Sequence, residues 1–182
     1  MDKVLEIIEQ RRSVRKYSPQ PLEREKIELL LAAAVQAPSG HNAQPWHFTV
    51  ISNVALLDSL AGECKKYMAA SGIDWAVKMA ALEQLHIFYH APAVIIVSAV
   101  ADAPTPEEDT AAATQNIMLQ AASMGLGSCW IGLAWFYFKD KANYAQWGIP
   151  ENCTVQQIMT VGYPQGASTK PLRKPFSVNW VN

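Results

Sequence analysis

One uninterrupted apolar run, residues 93–99, constrains the fold of this 182-residue chain more than any other feature. It reads Ala-Val-Ile-Ile-Val-Ser-Ala, and its β-branched side chains favour an extended strand. A strand that faces water on one side alternates apolar and polar residues, whereas this run does not alternate. It therefore predicts a central strand with helices packed against both faces.

The rest of the chain supplies strands and helices for such layers. Three further strands are predicted from their residue patterns, at residues 46–52, 128–131 and 154–161. Helices are predicted just after Asp2 and around residues 23–37, 54–70, 109–124 and 135–147, with a less regular helical segment at 71–90. Four strands interleaved with five or six helices predict a layered domain, and the length favours a single one spanning residues 1–182.

Composition excludes several classes of protein. A net charge of −1, with 50% hydrophobic and 17% charged residues, is typical of a globular protein and not of a nucleic-acid-binding surface. The low charge fraction also favours a sizeable buried interface. The sequence has no membrane-spanning apolar run and no apolar signal core at its amino terminus, and its three cysteines form no CxxC pair. We therefore expect a cytoplasmic protein with free thiols and no membrane partner.

A basic motif near the amino terminus suits a phosphate group. Arg11-Arg12-Ser13-Val14-Arg15 places Arg11 and Arg15 on one face whether the segment is helical or extended, and Ser13 joins them if it is extended. Each guanidinium offers a planar fork of donors that matches phosphate oxygens. The alternative is a solvated basic run that stabilises the end of a helix.

A polar connection at residues 37–48 suits a flat heteroaromatic ligand. Ser39, Asn42 and Gln44 lie between Pro38 and Pro45, and their hydroxyl and amide groups both donate and accept hydrogen bonds. The alternative is a connection stabilised by its own side-chain turns.

Other residues give weaker signals. The glycine-rich segment 125–132 either turns tightly or lets backbone N–H groups approach a ligand. Cys129 is interpreted as a buried small residue, because nothing in the sequence fixes a base beside it. His86 and His90 are four residues apart but lack a third ligand, so no metal site is expected. The aromatic segment 135–138 fits a core, an interface or a pocket wall.

Taken in order, these motifs resemble the FMN-dependent nitroreductase family. The resemblance rests on residues 11–15, on Pro38-Ser39 with residues 42–46, and on Gly125-Leu126-Gly127-Ser128-Cys129-Trp130-Ile131-Gly132. Ala91-Pro92 and Gly162-Tyr163-Pro164 agree with it, and it covers essentially the whole chain. The resemblance implies an α+β fold with a mixed central β-sheet flanked by helices, in an intertwined homodimer with FMN at the interface.

The resemblance also assigns residues to the cofactor. It implies that the FMN phosphate and ribityl chain contact Arg11, Arg12, Ser13, Arg15 and Arg173. It implies that the other subunit contributes Pro38, Ser39, Asn42 and Gln44, and that flavin N5 and O4 face the backbone N–H groups of Gly132 and Leu133. The family often carries a lysine two residues before its carboxy-terminal arginine; here that position is Pro171, which leaves open whether Lys170 or Lys174 assists.

The implied activity is electron transfer from NADH or NADPH through FMN to a nitroaromatic, a quinone or a similar electron-poor molecule, by ping-pong kinetics. No catalytic acid or base side chain is required, because the flavin carries the chemistry. Three alternatives remain: another flavin reaction such as reductive dehalogenation or flavin fragmentation, an FMN-binding protein with a storage or regulatory role, and a hydrolase using Cys129 with His86 or His90. The sequence leaves the nicotinamide donor and the electron acceptor open.

Overall fold

A four-stranded sheet lies at the centre of the computed structural model, which describes residues 2–166 and 168–181. The strands are arranged in the order β1-β2-β4-β3, and every neighbouring pair is antiparallel. Their bounds are Trp46–Ile51 for β1, Ala93–Val100 for β2, Gly127–Trp130 for β3 and Cys153–Gly162 for β4.

A mixed sheet was predicted, but the described residues show one parallel contact, and it lies outside the pairing of the four strands. The four strands are antiparallel, and an isolated bridge between Ser13 and Ser128 is parallel. The segment that carries the arginines (residues 11–17), called the arginine segment below, does not continue along β3; Tyr17 instead forms an antiparallel bridge with Pro164. The segment is therefore fastened at two points and does not form a fifth strand.

Helices cover both faces of the sheet. They are α1 (Lys3–Gln10), α2 (Arg24–Ala34), α3 (Val54–Ala69), α4 (Asp74–Ala80), α5 (Pro106–Ser123) and α6 (Trp135–Phe138). Two predicted helices are shorter than expected. The segment 71–90 is helical only in α4, and the aromatic helix ends at Phe138, where Asp140 caps the first of two short 3₁₀ turns.

Strand β2 is buried on both faces, as the apolar run predicts. Val94 and Ile96 belong to a core cluster that includes residues of α3 and α6. Ala93, Ile95 and Val97 belong to a second cluster, with residues of α2 and α5. The sheet therefore separates two hydrophobic layers, as an α+β fold of this kind requires. None of the helices described for residues 2–166 and 168–181 is long and apolar enough to cross a membrane.

The arginine segment is held against the sheet by a close backbone approach. The Val14 N–H donates to the carbonyl oxygen of Ser128 at 2.9 Å. The Tyr17 hydroxyl contacts the Val14 carbonyl and the Thr160 hydroxyl, each at 2.8 Å. A Cβ atom on Gly127 would lie 2.7 Å from the Cβ of Val14, so only glycine permits this approach.

We expect Gly127→Ala to destabilise the protein by about 1–3 kcal/mol, the usual cost of forcing atoms into a packed contact. Urea unfolding measures the change. The matched control is Gly62→Ala in α3, where an added Cβ meets nothing within 4 Å. That substitution removes a helical glycine and should stabilise by about 0.5–1 kcal/mol. Equal effects of the two substitutions would contradict the close contact between Gly127 and Val14.

Candidate functional site

An open cavity of about 440 Å³ lies beside the arginine segment. Its wall brings together residues that are far apart in the sequence: Arg11, Arg12, Ser13, Arg15, Ser168, Thr169, Pro171 and Arg173. Four guanidinium groups thus border one volume, three from the segment after α1 and one from the carboxy-terminal tail. We call this volume the arginine cavity.

The positive charges of the arginine cavity have no counter-ion among the described residues. Within residues 2–166 and 168–181, none of the ion pairs includes any of its four arginines. Nη1 of Arg11 is buried and, among the described residues, has no hydrogen-bond partner. Burial lowers the pKa of Arg11, and the nearby charges of Arg173 and Arg12 lower it further. Such an arrangement favours a bound anion, because an anion would supply the missing hydrogen bonds and relieve the repulsion.

Local contacts orient the individual arginines. Nη1 of Arg12 donates to the carbonyl oxygen of Arg11 at 2.5 Å. The Arg15 guanidinium lies 5.9 Å from the centre of the Tyr89 ring, and its interaction with the Tyr89 side chain raises the pKa of Arg15. The extended backbone places Ser13 on the same wall as Arg11 and Arg15.

The polar connection after Pro38 forms a separate feature, which we call the amide loop (residues 39–44). The Gln44 N–H donates to the Ser39 hydroxyl at 3.0 Å, and Nε2 of Gln44 donates to Oδ1 of Asn42 at 3.2 Å. His41, Asn42 and Gln44 adopt positive φ angles of 51°, 55° and 48°. Left-handed backbone at residues other than glycine is strained and is concentrated at functional sites.

Helix α5 separates the amide loop from the arginine cavity. The Gly40 N–H donates to Oδ1 of Asp109 at 3.0 Å, in the first turn of the helix. Near the other end of the helix, Ala122 lines a pocket of about 360 Å³ together with Arg11 and Arg12. At about 1.5 Å per residue, the helix between Asp109 and Ala122 is roughly 20 Å long. The two groups of predicted residues therefore do not meet within one chain.

The predicted backbone donors lie beyond the far end of β3. Gly132 is exposed, Leu133 is half-buried, and neither N–H donates a hydrogen bond within the described part of the chain. Strand β3 begins beside the arginine segment, and the path from Ser128 to Gly132 spans about 13 Å at strand spacing. The arginine cavity and these free amides can thus contact the two ends of one elongated ligand.

Asp58 joins the two histidines in a cluster that the sequence did not predict. The carboxylate and ring nitrogens of Asp58, His86 and His90 lie within 4.8 Å of one another. Nε2 of His86 contacts Asp58 at 3.1 Å, whereas its Nδ1 accepts from the N–H groups of Phe88 and His90, each at 3.2 Å. Both nitrogens of His86 are therefore engaged in hydrogen bonds, and the cluster is explained as a structural one. No sequence pattern indicates this cluster, because Asp58 lies 28 residues before His86.

Cys129 lacks the surroundings of a nucleophile. It is buried between Ser128 and Trp130, and burial raises its pKa despite the opposing charges of Arg15 and Arg11. A neutral thiol is a weak nucleophile. This environment argues against the hydrolase alternative.

The carboxy-terminal tail contributes residues that sequence reasoning missed. Ser168 and Thr169 line the arginine cavity, and their only signal was a position shortly before Arg173. Lys170 instead pairs with Glu9 of α1 at 3.3 Å. Neither Lys170 nor Lys174 is among the residues that line the cavity.

Comparison with known proteins identifies the family. The family model described as the nitroreductase family matches residues 8–163. A protein of Archaeoglobus fulgidus with the provisional name NADH dehydrogenase/NAD(P)H nitroreductase is 33% identical over 165 residues, which cover 91% of this chain and 87% of the relative. This chain belongs to the nitroreductase family, and the family prediction from the motifs is confirmed.

Solved structures agree on the fold. A nitroreductase with bound FMN from Bacteroides fragilis superposes with a TM-score of 0.93 and 30% identity, over 100% of both chains.

A more distant relative by sequence, the iodotyrosine deiodinase of Thermotoga neapolitana, is 24% identical over 187 residues, which cover 99% of this chain and 98% of the relative. The family and the predicted α+β fold are thus supported over the length of the chain.

His86 should make stability depend on pH. Burial lowers its pKa, the neighbouring His90 and Lys65 act in the same direction, and Asp58 opposes them. Since the unfolded chain then takes up a proton at a higher pH, stability should fall as the pH drops through about 6.5. Urea unfolding at about pH 7.5 and about pH 5.5 should show a smaller loss for His86→Asn than for wild type. The control is the exposed His41→Asn, and a loss in His86→Asn as large as in wild type would contradict the assignment.

Proposed function

We propose that this chain is an FMN-dependent oxidoreductase that transfers electrons from NADH or NADPH to a small electron-poor acceptor, such as a nitroaromatic or a quinone. One observation carries the proposal: in a member of the nitroreductase family, four arginines without counter-ions border one cavity, and a buried Nη1 of Arg11 has no partner among the described residues. The FMN-bound relative supports the choice of cofactor.

The residues present fit the parts of FMN. The phosphate matches Arg11, Arg15 and Arg173 in charge and in hydrogen-bond geometry. The hydroxyl-bearing chain can contact Ser13 and the neighbouring serine and threonine of the tail. The polar edge of the ring matches the free N–H groups after β3. FMN supplies hydride and electron transfer when bound, and the protein binds it, orients it and admits both substrates.

A second copy of the chain completes the site. Because α5 separates the amide loop from the arginine cavity, a single FMN can contact both only if the loop comes from a partner. The tail supports the same assembly, since it exposes large apolar residues that a monomer would leave in water: Leu172, Phe176, Trp180 and Val181 are 100%, 90%, 83% and 95% exposed. We therefore propose a homodimer with FMN at its interface, in which Pro38, Ser39, Asn42 and Gln44 act on the partner's cofactor.

The protein's part in the reaction is positioning. The N–H groups of Gly132 and Leu133 would donate to the ring edge, and Arg15 would orient the cofactor from the other side. No catalytic acid or base is proposed. Since both substrates would use one face of the ring, the first product leaves before the acceptor binds, which gives ping-pong kinetics.

Reductive dehalogenation is the second candidate activity. It is favoured by the identity to a deiodinase over nearly the whole chain. It requires the same cofactor and the same arginine cavity, so only the choice of acceptor separates it from nitroaromatic or quinone reduction.

A direct experiment tests the function. The purified protein should be yellow, and NADH or NADPH should bleach it without oxygen; nitroaromatics, quinones and halogenated phenols are then added in turn. Recovery of colour identifies the acceptor. A colourless protein that does not take up FMN would contradict the proposal, and colour without bleaching would favour a storage role.

We expect Arg173→Gln to weaken FMN binding by about 1.5–3 kcal/mol, the value of a charged hydrogen bond. The same change should leave the FMN-free protein at least as stable as wild type, because it removes a charge that repels Arg11. Fluorescence titration with FMN and urea unfolding measure the two effects. The control is Lys174→Gln, which makes the same charge change outside the cavity lining. If both variants weaken FMN binding equally, the cavity is not the phosphate site.

Hybrid dimers can show whether the site is shared. Arg173→Gln and Asn42→Ala should each lower FMN affinity in homodimers. In a shared site, a hybrid of the two chains has one site with both substitutions and one with neither. Hybrid dimers isolated after mixing and reassembly should therefore regain tight binding at half of their sites. Hybrids without any tight site would place both residues in one chain's own pocket.

A further inference from the structure

A second cavity, of about 410 Å³, shares Arg15 with the arginine cavity. It lies between the arginine segment and the turns that follow α4, at residues 82–90. Its volume is within the range of sites that bind small molecules. Its polar lining includes Arg15, Lys16, Gln84, Tyr89, His90 and Gln165. We call it the lysine cavity.

The charge of the lysine cavity suits an anion. No aspartate or glutamate is among the residues that line it, whereas Arg15 and Lys16 are both cations. Within residues 2–166 and 168–181, Lys16 takes part in no ion pair. Two glutamine amides add further donors. Asp58, the nearest carboxylate that the turns engage, does not line the cavity; it is hydrogen-bonded to Nε2 of His86 and lies within 4.8 Å of a ring nitrogen of His90.

The turns that form its wall have a fixed conformation. Tyr89 and His90 are consecutive residues with positive φ angles of 53° and 52°. This backbone places the Tyr89 ring near the Arg15 guanidinium and stacks the His90 ring on His86, with centroids 4.0 Å apart. Left-handed backbone at two successive residues other than glycine is costly, and such strain is concentrated at functional sites.

Further bonds hold the same wall. Nζ of Lys65 donates to the carbonyl oxygen of Leu82 at 2.6 Å. The His86 ring is held by hydrogen bonds at both of its nitrogens. By contrast, the ring nitrogens of the exposed His90 have no hydrogen-bond partner among the described residues. The wall is therefore preorganised, and it leaves the His90 imidazole free. Lys16, from the arginine segment, adds a cation to the same cavity.

We propose that the lysine cavity binds a phosphate monoester, and that this group is the 2′-phosphate that distinguishes NADPH from NADH. The inference rests on the proposed function, because FMN in the arginine cavity places Arg15 between the cofactor's phosphate and this second anion. Lys16 and His90 supply the contacts that only the phosphorylated donor can use. They are thus specificity residues for the electron donor.

Steady-state kinetics of the FMN-saturated enzyme test the inference. Wild type should show kcat/KM about tenfold or more higher for NADPH than for NADH, the effect of a charged hydrogen bond. Lys16→Gln should reduce that ratio about tenfold, and His90→Gln should reduce it in the same direction. The exposed Lys141→Gln makes the same charge change outside the lysine cavity and should keep the wild-type ratio. The FMN absorbance of each variant verifies that it has folded.

Direct binding separates the possible sources of the phosphate. Calorimetry on the FMN-saturated, oxidised enzyme should show tighter binding of adenosine 2′,5′-bisphosphate than of adenosine 5′-monophosphate, and Lys16→Gln should abolish the difference. Equal kcat/KM for the two nicotinamides, or equal binding of the two probes, would overturn the inference. Selectivity for the bisphosphate without a preference for NADPH would show that the cavity binds a phosphate without selecting the electron donor, and it would also overturn the inference. Failure of the proposed function looks different, since neither nicotinamide would then reduce the protein.

Discussion

The candidate site depends on the contact between the arginine segment and the edge of the sheet. Val14 lies against Gly127 at a distance that no side chain on that glycine would allow, and Tyr17 fastens the segment to the central strands. These apolar and hydrogen-bonding contacts are made between groups of the protein itself. They hold the guanidinium groups in place although those groups repel one another. The folding free energy from these contacts offsets the unfavourable electrostatic energy of the clustered positive charges.

The long helix α5 gives the site its other constraint. It is packed into the core through small and apolar residues, and it fixes the amide loop at one end and borders the arginine segment at the other. A rigid spacer of this kind cannot bend to bring its ends together. The proposed sharing of a cofactor between two chains rests on the length of this helix.

The sequence predicted the architecture better than it predicted the site. The apolar run of β2 and the helical periodicities depend on burial, which has a local signature, and most predicted bounds agree with the structure within a few residues. The turns at 82–90 lacked such a signature, because Lys65 and Asp58, which fix them, belong to an earlier helix. Likewise, the arginine motif could be recognised, but its meeting with Ser168 and Thr169 is a tertiary fact without a sequence pattern. The resemblance implied a mixed sheet. In the structure, parallel pairing is limited to the bridge between Ser13 and Ser128, because the arginine segment follows β3 no further.

The exposed tail has a consequence for the life of the chain before assembly. Phe176 and Trp180 are 90% and 83% exposed on a segment without helix or strand that follows β4. Such an exposed apolar segment tends to associate with other apolar surfaces, and it is accessible to proteases. If a second copy covers it, the protein's resistance to degradation rises with its own concentration. Dilution would then uncover this segment and make it more accessible to proteases.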